Sequence, residues 1–297
     1  VHKTVEALKP YCNLWITINE PNIFTFNAYL EGVFPPGKQD MKTAYQVMHT
    51  MVKAHAKAYA VIHELQPGAR VGVAHNYHGM KPATGLPTDR LAAKIYSKLF
   101  NDLFAGALHD GSFDAIIKKD RIPEAAGTQD FLGINYYTTE TIGFDLFNAK
   151  GYFVRRSFPE GADLSEDGSL ANMPGGLIKA LKWGEQFGLP MIITENGVED
   201  SQDILRPRYI LEHLHALWKV INNNIPVEGY FHWTLVDNFE WERGWTERFG
   251  LWGLDRETQA RIRRPSADLY AEICRANGIS AEMVAKYAPE VTNNLFP

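Results

Sequence analysis

Five short apolar runs, each separated from the next by a stretch of helical periodicity, constrain this chain more than any other feature. They lie at residues 13–18, 70–74, 130–136, 189–193 and 227–235. After the first run, Pro21 suits the opening turn of a helix that reaches about residue 31. Residues 42–65 then carry Tyr45, Met48, Val52, His55, Tyr59 and Ile62 at three- and four-residue spacing, one face of a long helix. Further helices are predicted at 89–109, 177–187, 207–220 and 265–276, with Gly188 and Asn277-Gly278 as stops. Strands that alternate with helices run parallel, so the chain is of the α/β class. Residues 76–88, 111–128 and 138–174 read as irregular, the last as a surface excursion rich in Gly, Pro, Asp and Ser, and 237–254 as an aromatic loop.

Two α/β architectures fit such a pattern. An open doubly wound sheet is expected to carry a glycine-rich phosphate turn after a strand, and no G-x-G-x-x-G occurs. The chemically active residue types stand instead at the C-terminal ends of several different strands, as in a (β/α)8 TIM barrel. Five strands do not close an eight-stranded barrel, so the expected fold is an incomplete barrel forming a single domain over residues 1–297.

The formal net charge of −5 gives no reason to expect nucleic acid or an anionic membrane as a partner. No apolar run reaches the roughly 18 residues of a membrane-spanning helix. Cys12 and Cys274, near opposite ends of the chain, read as reduced core residues rather than a disulfide. That points to a cytoplasmic protein, as does the lack of any Asn-x-Ser/Thr acceptor. The chain opens at Val1 without a signal-peptide pattern, and residues 2–8 look like part of a helix already under way, so Val1 reads as a cut end. Seven Trp, thirteen Tyr and sixteen Phe, several beside Asn, Asp or Glu, offer the flat apolar faces and polar neighbours of a carbohydrate site, although most aromatic residues are core.

Two of the five runs end in a glutamate: Trp15-Ile16-Thr17-Ile18-Asn19-Glu20-Pro21 and Ile193-Thr194-Glu195-Asn196-Gly197. Paired carboxylates at strand mouths suit glycoside cleavage. One carboxylic acid protonates the departing oxygen, while an ionised one attacks the anomeric carbon or activates water. Their surroundings must push the two pKa values apart. A simpler reading of Glu20 alone is a carboxylate favouring the start of the helix after it. The ten histidines give no metal pattern: His213 and His215 share no helix face and no H-E-x-x-H occurs. His75 and His78 flank a loop, either lining a pocket mouth or satisfied within the structure.

Around these segments the chain resembles glycoside hydrolase family 1, the β-glucosidase family. The likeness is carried, in the family's order, by Thr17-Ile18-Asn19-Glu20-Pro21, Phe131-Leu132-Gly133-Ile134-Asn135-Tyr136-Tyr137, Ile193-Thr194-Glu195-Asn196-Gly197, Trp233-Thr234-Leu235-Val236-Asp237-Asn238-Phe239-Glu240-Trp241 and Arg248-Phe249-Gly250-Leu251. The resemblance implies that Glu20 is the acid/base and Glu195 the nucleophile of a retaining mechanism, with carboxyls about 5–5.5 Å apart. It implies that Asn19 bonds the sugar 2-hydroxyl and that Asn135 and Tyr137 lie near the nucleophile, the phenol donating to its charged form. Trp233 is then the floor under the glycone, Glu240 and Trp241 contact its distal hydroxyls, and Phe249 closes the wall. A carboxylate that accepts from two adjacent hydroxyls fits a neutral sugar, and members acting on 6-phosphorylated sugars lack this Glu-Trp pair. Trp233 and Phe249 also fit as core aromatics, Asn135 as a strand-end turn residue, and Asp237 as a structural hydrogen-bonding group.

By the same resemblance the family's barrel has three βα units before the first glutamate. They bring a strand-1 glutamine, a strand-2 arginine beside the nucleophile and a strand-3 His-Trp pair, none of which can be assigned here. The chain then holds about strands 4–8, an arc with an open inner face and two unpaired edges. Many members also place a Gly-Trp of the aglycone site where residues 165–174 read Ser-Glu-Asp-Gly-Ser-Leu-Ala-Asn-Met-Pro. The expected function is hydrolysis of terminal non-reducing β-D-glucosyl, galactosyl or fucosyl residues from a β-glucoside or related oligosaccharide. It needs no metal or organic cofactor, but it does need an N-terminal fragment or another chain to complete the barrel. The alternatives are a catalytically inactive sugar-binding or scaffold protein and a metal-dependent barrel hydrolase.

Overall fold

The computed structural model describes residues 1–116 and 118–296; Ile117, within the 111–128 stretch, and Pro297, at the end of the expected domain, lie outside the described residues. Five parallel strands form the main sheet, side by side in chain order: β1 (Leu14–Asn19), β2 (Arg70–Asn76), β3 (Phe131–Asn135), β4 (Met191–Glu195) and β5 (Val227–Tyr230). Helix α1 (His2–Leu8) precedes β1, and α2 (Pro21–Tyr29) and α3 (Met41–Leu65) lead to β2. Then α4 (Pro87–Ser97) and α5 (Leu103–Asp110) lead to β3, α6 (Pro174–Gly184) to β4 and α7 (Arg206–Ile221) to β5, with α8 (Pro265–Ala276) after it. Each of the five apolar runs is therefore a strand, and the alternation read from the sequence holds.

The packing follows from the pattern. Val71, Val73, Phe131, Leu132 and Ile134 are fully buried because β2 and β3 each lie between two neighbours and beneath helices. Leu132, Ile134, Met191 and Ile193 meet Leu177 and Leu181 of α6 and Leu217 and Val220 of α7. Met48 and Val52 of α3 pack with Phe104 and Leu108 of α5 around Val73. Burying each such side chain contributes on the order of 1.5–3 kcal/mol. These two clusters fix the strands against the helices, and so fix the strand ends that carry the polar residues.

Arg70 of β2 reaches Glu228 of β5 at 2.5 Å and lies over the Phe131 ring at 5.7 Å. Three strand spacings, about 14 Å in a flat sheet, separate β2 from β5, so these two long side chains tie distant strands together across the sheet. Among the described residues the sheet has two edges. On β1, Trp15 and Thr17 turn toward α3, bonding Gln66 and His55 at 2.9 and 2.6 Å, while Leu14 and Ile16 on the other face are 41% and 44% exposed. Past β5, Phe231 and Leu235 are 55% and 65% exposed.

The first strand, with β2 on one side only, is an uncovered edge of the kind the incomplete barrel implied. Several other expectations need correction. The last strand ends at Tyr230, well short of residue 235. The 138–174 excursion contains strands Thr139–Phe144 and Val154–Ser157, which with Gly79–Pro82 make a separate three-stranded sheet. A π-helical turn, Lys98–Asp102, interrupts the 89–109 helix, and 111–128 holds a hairpin, Ser112–Asp114 with Lys119–Arg121. Two short helices, Ala281–Tyr287 and Thr292–Leu295, follow the left-handed stop at Asn277. Cys12 and Cys274 are free thiols but exposed rather than core. Among the described residues no helix is long and apolar enough to cross a membrane.

Candidate active site

Parallel strands bring all their C-terminal ends to one rim, and the polar residues gather there. β1 ends at Asn19-Glu20, β2 at Asn76, β3 at Asn135 and β4 at Glu195. Register holds them level: Asn76 pairs with Asn135, and Asn135 with Glu195. Glu20 caps α2 in a left-handed conformation, φ 47° and ψ 58°, with Pro21 behind it and its own N–H on Ala74 O at 2.8 Å. For a non-glycine residue that geometry costs about 1–3 kcal/mol and aims the side chain away from the strand direction.

The two glutamates share one hydrogen-bonded cluster. Asn76 Nδ2 and Asn135 Nδ2 both donate to Glu20 Oε1, at 2.9 and 2.8 Å. With Oε1 occupied by two donors, a proton on this carboxyl belongs on Oε2. Asn135 Nδ2 also lies 3.2 Å from Asn19 Oδ1, while Asn135 Oδ1 accepts from Thr194 Oγ1 at 2.5 Å, which fixes the amide's orientation. Tyr137 Oη donates to Glu195 Oε2 at 2.5 Å.

Both carboxyls are half-buried, yet the groups packed round them dominate their ionisation. Burial raises Glu20 above the ordinary carboxylate range, opposed by the Asn76 and Asn135 amides. Glu195 is raised to about 8, first by burial and then by the charge of Glu20, against the hydrogen bonds of Tyr137, Asn135 and Asn19. Among the described residues, the largest influences on the two carboxyls include no cation.

The aromatic residues lie around this pair. Gly197 makes the arrangement possible: a Cβ there would stand 1.9 Å from Trp233 O, and Trp233 N donates to Asn196 O at 2.9 Å. The turn after Glu195 is thereby seated on the Trp233 backbone. Trp233 Nε1 in turn donates to Glu240 Oε1 at 3.2 Å, and burial raises Glu240 despite that bond. Phe249, 6% exposed, stands edge-on to Tyr137 at 6.2 Å. Trp241 lies further out, 69% exposed and 5.8 Å from the Phe34 ring.

Of the residues singled out from sequence, Glu20, Glu195, Asn19, Asn135 and Tyr137 are thus joined directly, and Phe249, Trp233 and Glu240 are tied to them through Tyr137 and Gly197. Asp237 is structural: it pairs with Arg264 at 3.0 Å and accepts from Gly250 N at 2.8 Å. His75 bonds Gln129 at 2.9 Å and is satisfied within the structure, while His78 Nε2 lies 3.0 Å from Glu140 Oε2 as an ion-pair neighbour without a well-formed hydrogen bond. The sequence does not single out Asn76, because the second apolar run stops at residue 74. A signal was present: like β1 and β3, β2 closes on an asparagine. Among the described residues no group of three or more His, Cys, Asp or Glu could hold a metal ion.

Comparison with known proteins agrees with this picture. The family model for glycosyl hydrolase family 1 matches residues 4–279. Beta-glucosidase A of Thermotoga maritima is 32% identical over 289 residues, which cover 89% of this chain and 64% of that protein. The structure of a beta-glycosidase from Pyrococcus horikoshii superposes with a TM-score of 0.87 at 33% identity, covering 96% of this chain and 66% of that one. A Thermotoga maritima beta-glucosidase in complex with glucoimidazole gives 0.86 at 28% identity, over 94% and 67%. The chain thus spans 64% of the length of the curated relative.

Proposed function

The chain belongs to glycosyl hydrolase family 1, and from that premise we propose that it carries both catalytic carboxylates of a retaining β-glycosidase acting on terminal non-reducing β-D-glucosyl or related residues. The observation that carries the proposal is the cluster at the strand ends, in which Glu20 and Glu195 are coupled through Asn135 and differ in their partners. Glu20, protonated on Oε2, gives its proton to the glycosidic oxygen as Glu195 attacks the anomeric carbon, and a glycosyl ester forms. Glu20 then takes a proton from water, whose oxygen attacks the anomeric carbon; the bond to Glu195 breaks, the sugar leaves with retained configuration, and the protonated Glu20 and ionised Glu195 are restored. Asn19 bonds the 2-hydroxyl, Trp233 lies beneath the ring, and Glu240 with Trp241 receives the distal hydroxyls. A carboxylate in that place repels a phosphorylated glycone, so the sugar is neutral.

The chain by itself is the C-terminal part of the catalytic unit, about strands 4–8 of an eight-stranded barrel. The uncovered Leu14, Ile16, Phe231 and Leu235 at the two edges support this, as does the 64% span of the relative. Further βα units, supplied by a preceding segment or a separate chain, pair with β1 and β5 and bring a cation toward Glu195. The cytosol is the compartment this reading assigns, since two exposed free thiols persist in a reducing medium.

One observation favours a second reading. With Glu195 raised to about 8 and no cation of the described residues among the main influences on it, the chain alone holds a protonated nucleophile at neutral pH and binds sugar without turning it over. A 2-deoxy-2-fluoro-β-glucosyl inactivator separates the two readings. Labelling of Glu195, located by peptide mass, supports the enzyme; saturable sugar binding with neither labelling nor turnover supports the silent form. Near-normal hydrolysis of a nitrophenyl β-glucoside by residues 1–297 alone would refute the requirement for further strands.

A further inference from the structure

Behind Glu20 runs a chain of buried amides that ends in the π-helical turn Lys98–Asp102. Asn22, the second residue of α2 and 3% exposed, donates through Nδ2 to Asn76 O at 2.7 Å and to Phe100 O at 3.1 Å. Phe100 lies inside the π turn, where the wider winding loosens the helical ladder. The next residue, Asn101, also 3% exposed, clamps His78 from both sides, its Oδ1 accepting from His78 N at 3.0 Å and its Nδ2 donating to His78 O at 3.1 Å. One π turn thus grips both ends of the segment 76–78. The product of that grip is the Asn76 amide seated on Glu20 Oε1 at 2.9 Å.

We propose that Asn22 and the π turn, through Phe100 O and Asn101, are positioning elements for Glu20, holding segment 76–78 so that the Asn76 amide stays on the carboxyl that transfers the proton. The proposal rests on Glu20 as the acid/base. The device is remote from the sugar, since neither Asn22 nor Asn101 touches Glu20. Its effect is nonetheless electrostatic, because the Asn76 amide favours the ionised carboxyl.

The test is a pH titration of the Glu20 carboxyl carbon by NMR in the 13C-glutamate-labelled chain, with the resonance assigned through Glu20→Gln. Asn76→Ala is expected to raise the Glu20 midpoint by about one pH unit, a tenfold gain in proton affinity. Asn22→Ala and Asn101→Ala are expected to raise it comparably although Asn76 is still present, and Asn22→Ala with Asn76→Ala no further than Asn76→Ala alone. An unmoved midpoint in a folded Asn22→Ala or Asn101→Ala chain, whatever its melting temperature, overturns the proposal. If Asn22→Ala does not fold, Asn101→Ala decides, because it leaves both Asn22 bonds in place. The readout needs no turnover: failure of the fluorosugar to label Glu195 in the completed enzyme defeats the glycosidase reading, while an unmoved Glu20 midpoint defeats only the positioning.

Discussion

Asn135 pairs in register with Glu195 on the neighbouring strand, yet its side-chain amide donates to Glu20 at 2.8 Å. One residue therefore sets both the spacing and the charge balance of the two carboxyls, and it lowers the proton affinity of each. Asn135→Ala is expected to raise both titration midpoints. A hydrogen bond to a charged group contributes about 1.5–3 kcal/mol, so kcat/KM of the completed enzyme should fall roughly ten- to hundred-fold. NMR of labelled glutamate and steady-state kinetics check the two halves separately. Loss of activity with unmoved midpoints would leave Asn135 a sugar contact and nothing more.

The same carboxyls make stability depend on pH. Glu195 titrates near 8 in the fold against an ordinary 4.5, so the folded chain binds this proton more tightly than the unfolded one. Its contribution is fully present below about 4.5 and is lost as pH rises through 8. Burial drives His55 and His75 down to about 4 and His213 and His232 to about 3. Their stabilisation is present above 6.5 and lost as pH falls toward those values. Maximum stability is therefore expected near about pH 6.5. Glu195→Gln should melt several degrees above the parent at pH 8 and close to it at pH 5, corresponding to a few kcal/mol at about 1.4 kcal/mol per pH unit. Parallel melting curves at both pH values would contradict the shift.

Gly197 joins the Glu195 turn to the aromatic loop. Its ideal Cβ position lies 1.9 Å from Trp233 O and 3.4 Å from Trp233 Cβ. The obstruction is backbone, so no rotamer relieves it. Gly197→Ala should cost about 3 kcal/mol and displace Trp233 and, with it, Glu240. Chemical denaturation gives the first number. Tryptophan fluorescence quenching by a bound β-glucoside gives the second, and undiminished quenching would show that Trp233 does not line the site.

How much of this was legible in the sequence depends on the range of the signal. The five strands announced themselves because an apolar run between glycine and proline breaks is a local property. Glu20 and Glu195 did so because each closes such a run. The π turn at 98–102 left no mark, since the apolar spacing of the 89–109 stretch continues through it. The strands at 139–144 and 154–157 are short and partly exposed, so neither carries a strong alternation. Asn22 and Asn76 look like any capping or turn amide. Their partners, Phe100 and Glu20, are 78 and 56 positions away. Only the repeated asparagine at the ends of β1, β2 and β3 hinted that Asn76 belongs with Asn19 and Asn135.

The edges supply the last prediction. Ile16 of β1 is 44% exposed on the face turned away from α3, and β1 pairs with β2 alone. An uncovered apolar edge strand invites pairing with whatever strand is available, another copy of the chain included. Residues 1–297 are therefore expected to self-associate with rising concentration in sedimentation velocity. Ile16→Lys should suppress that association while changing the monomer's stability by no more than about 0.5 kcal/mol, because the side chain has little packing to lose. Supplied in trans, a segment holding the remaining βα units should bind the parent chain and restore hydrolysis. Against Ile16→Lys it should bind at least about tenfold more weakly, since the lysine would have to be buried beneath the incoming strand. Equal binding to both chains would place the completing strands elsewhere than on β1.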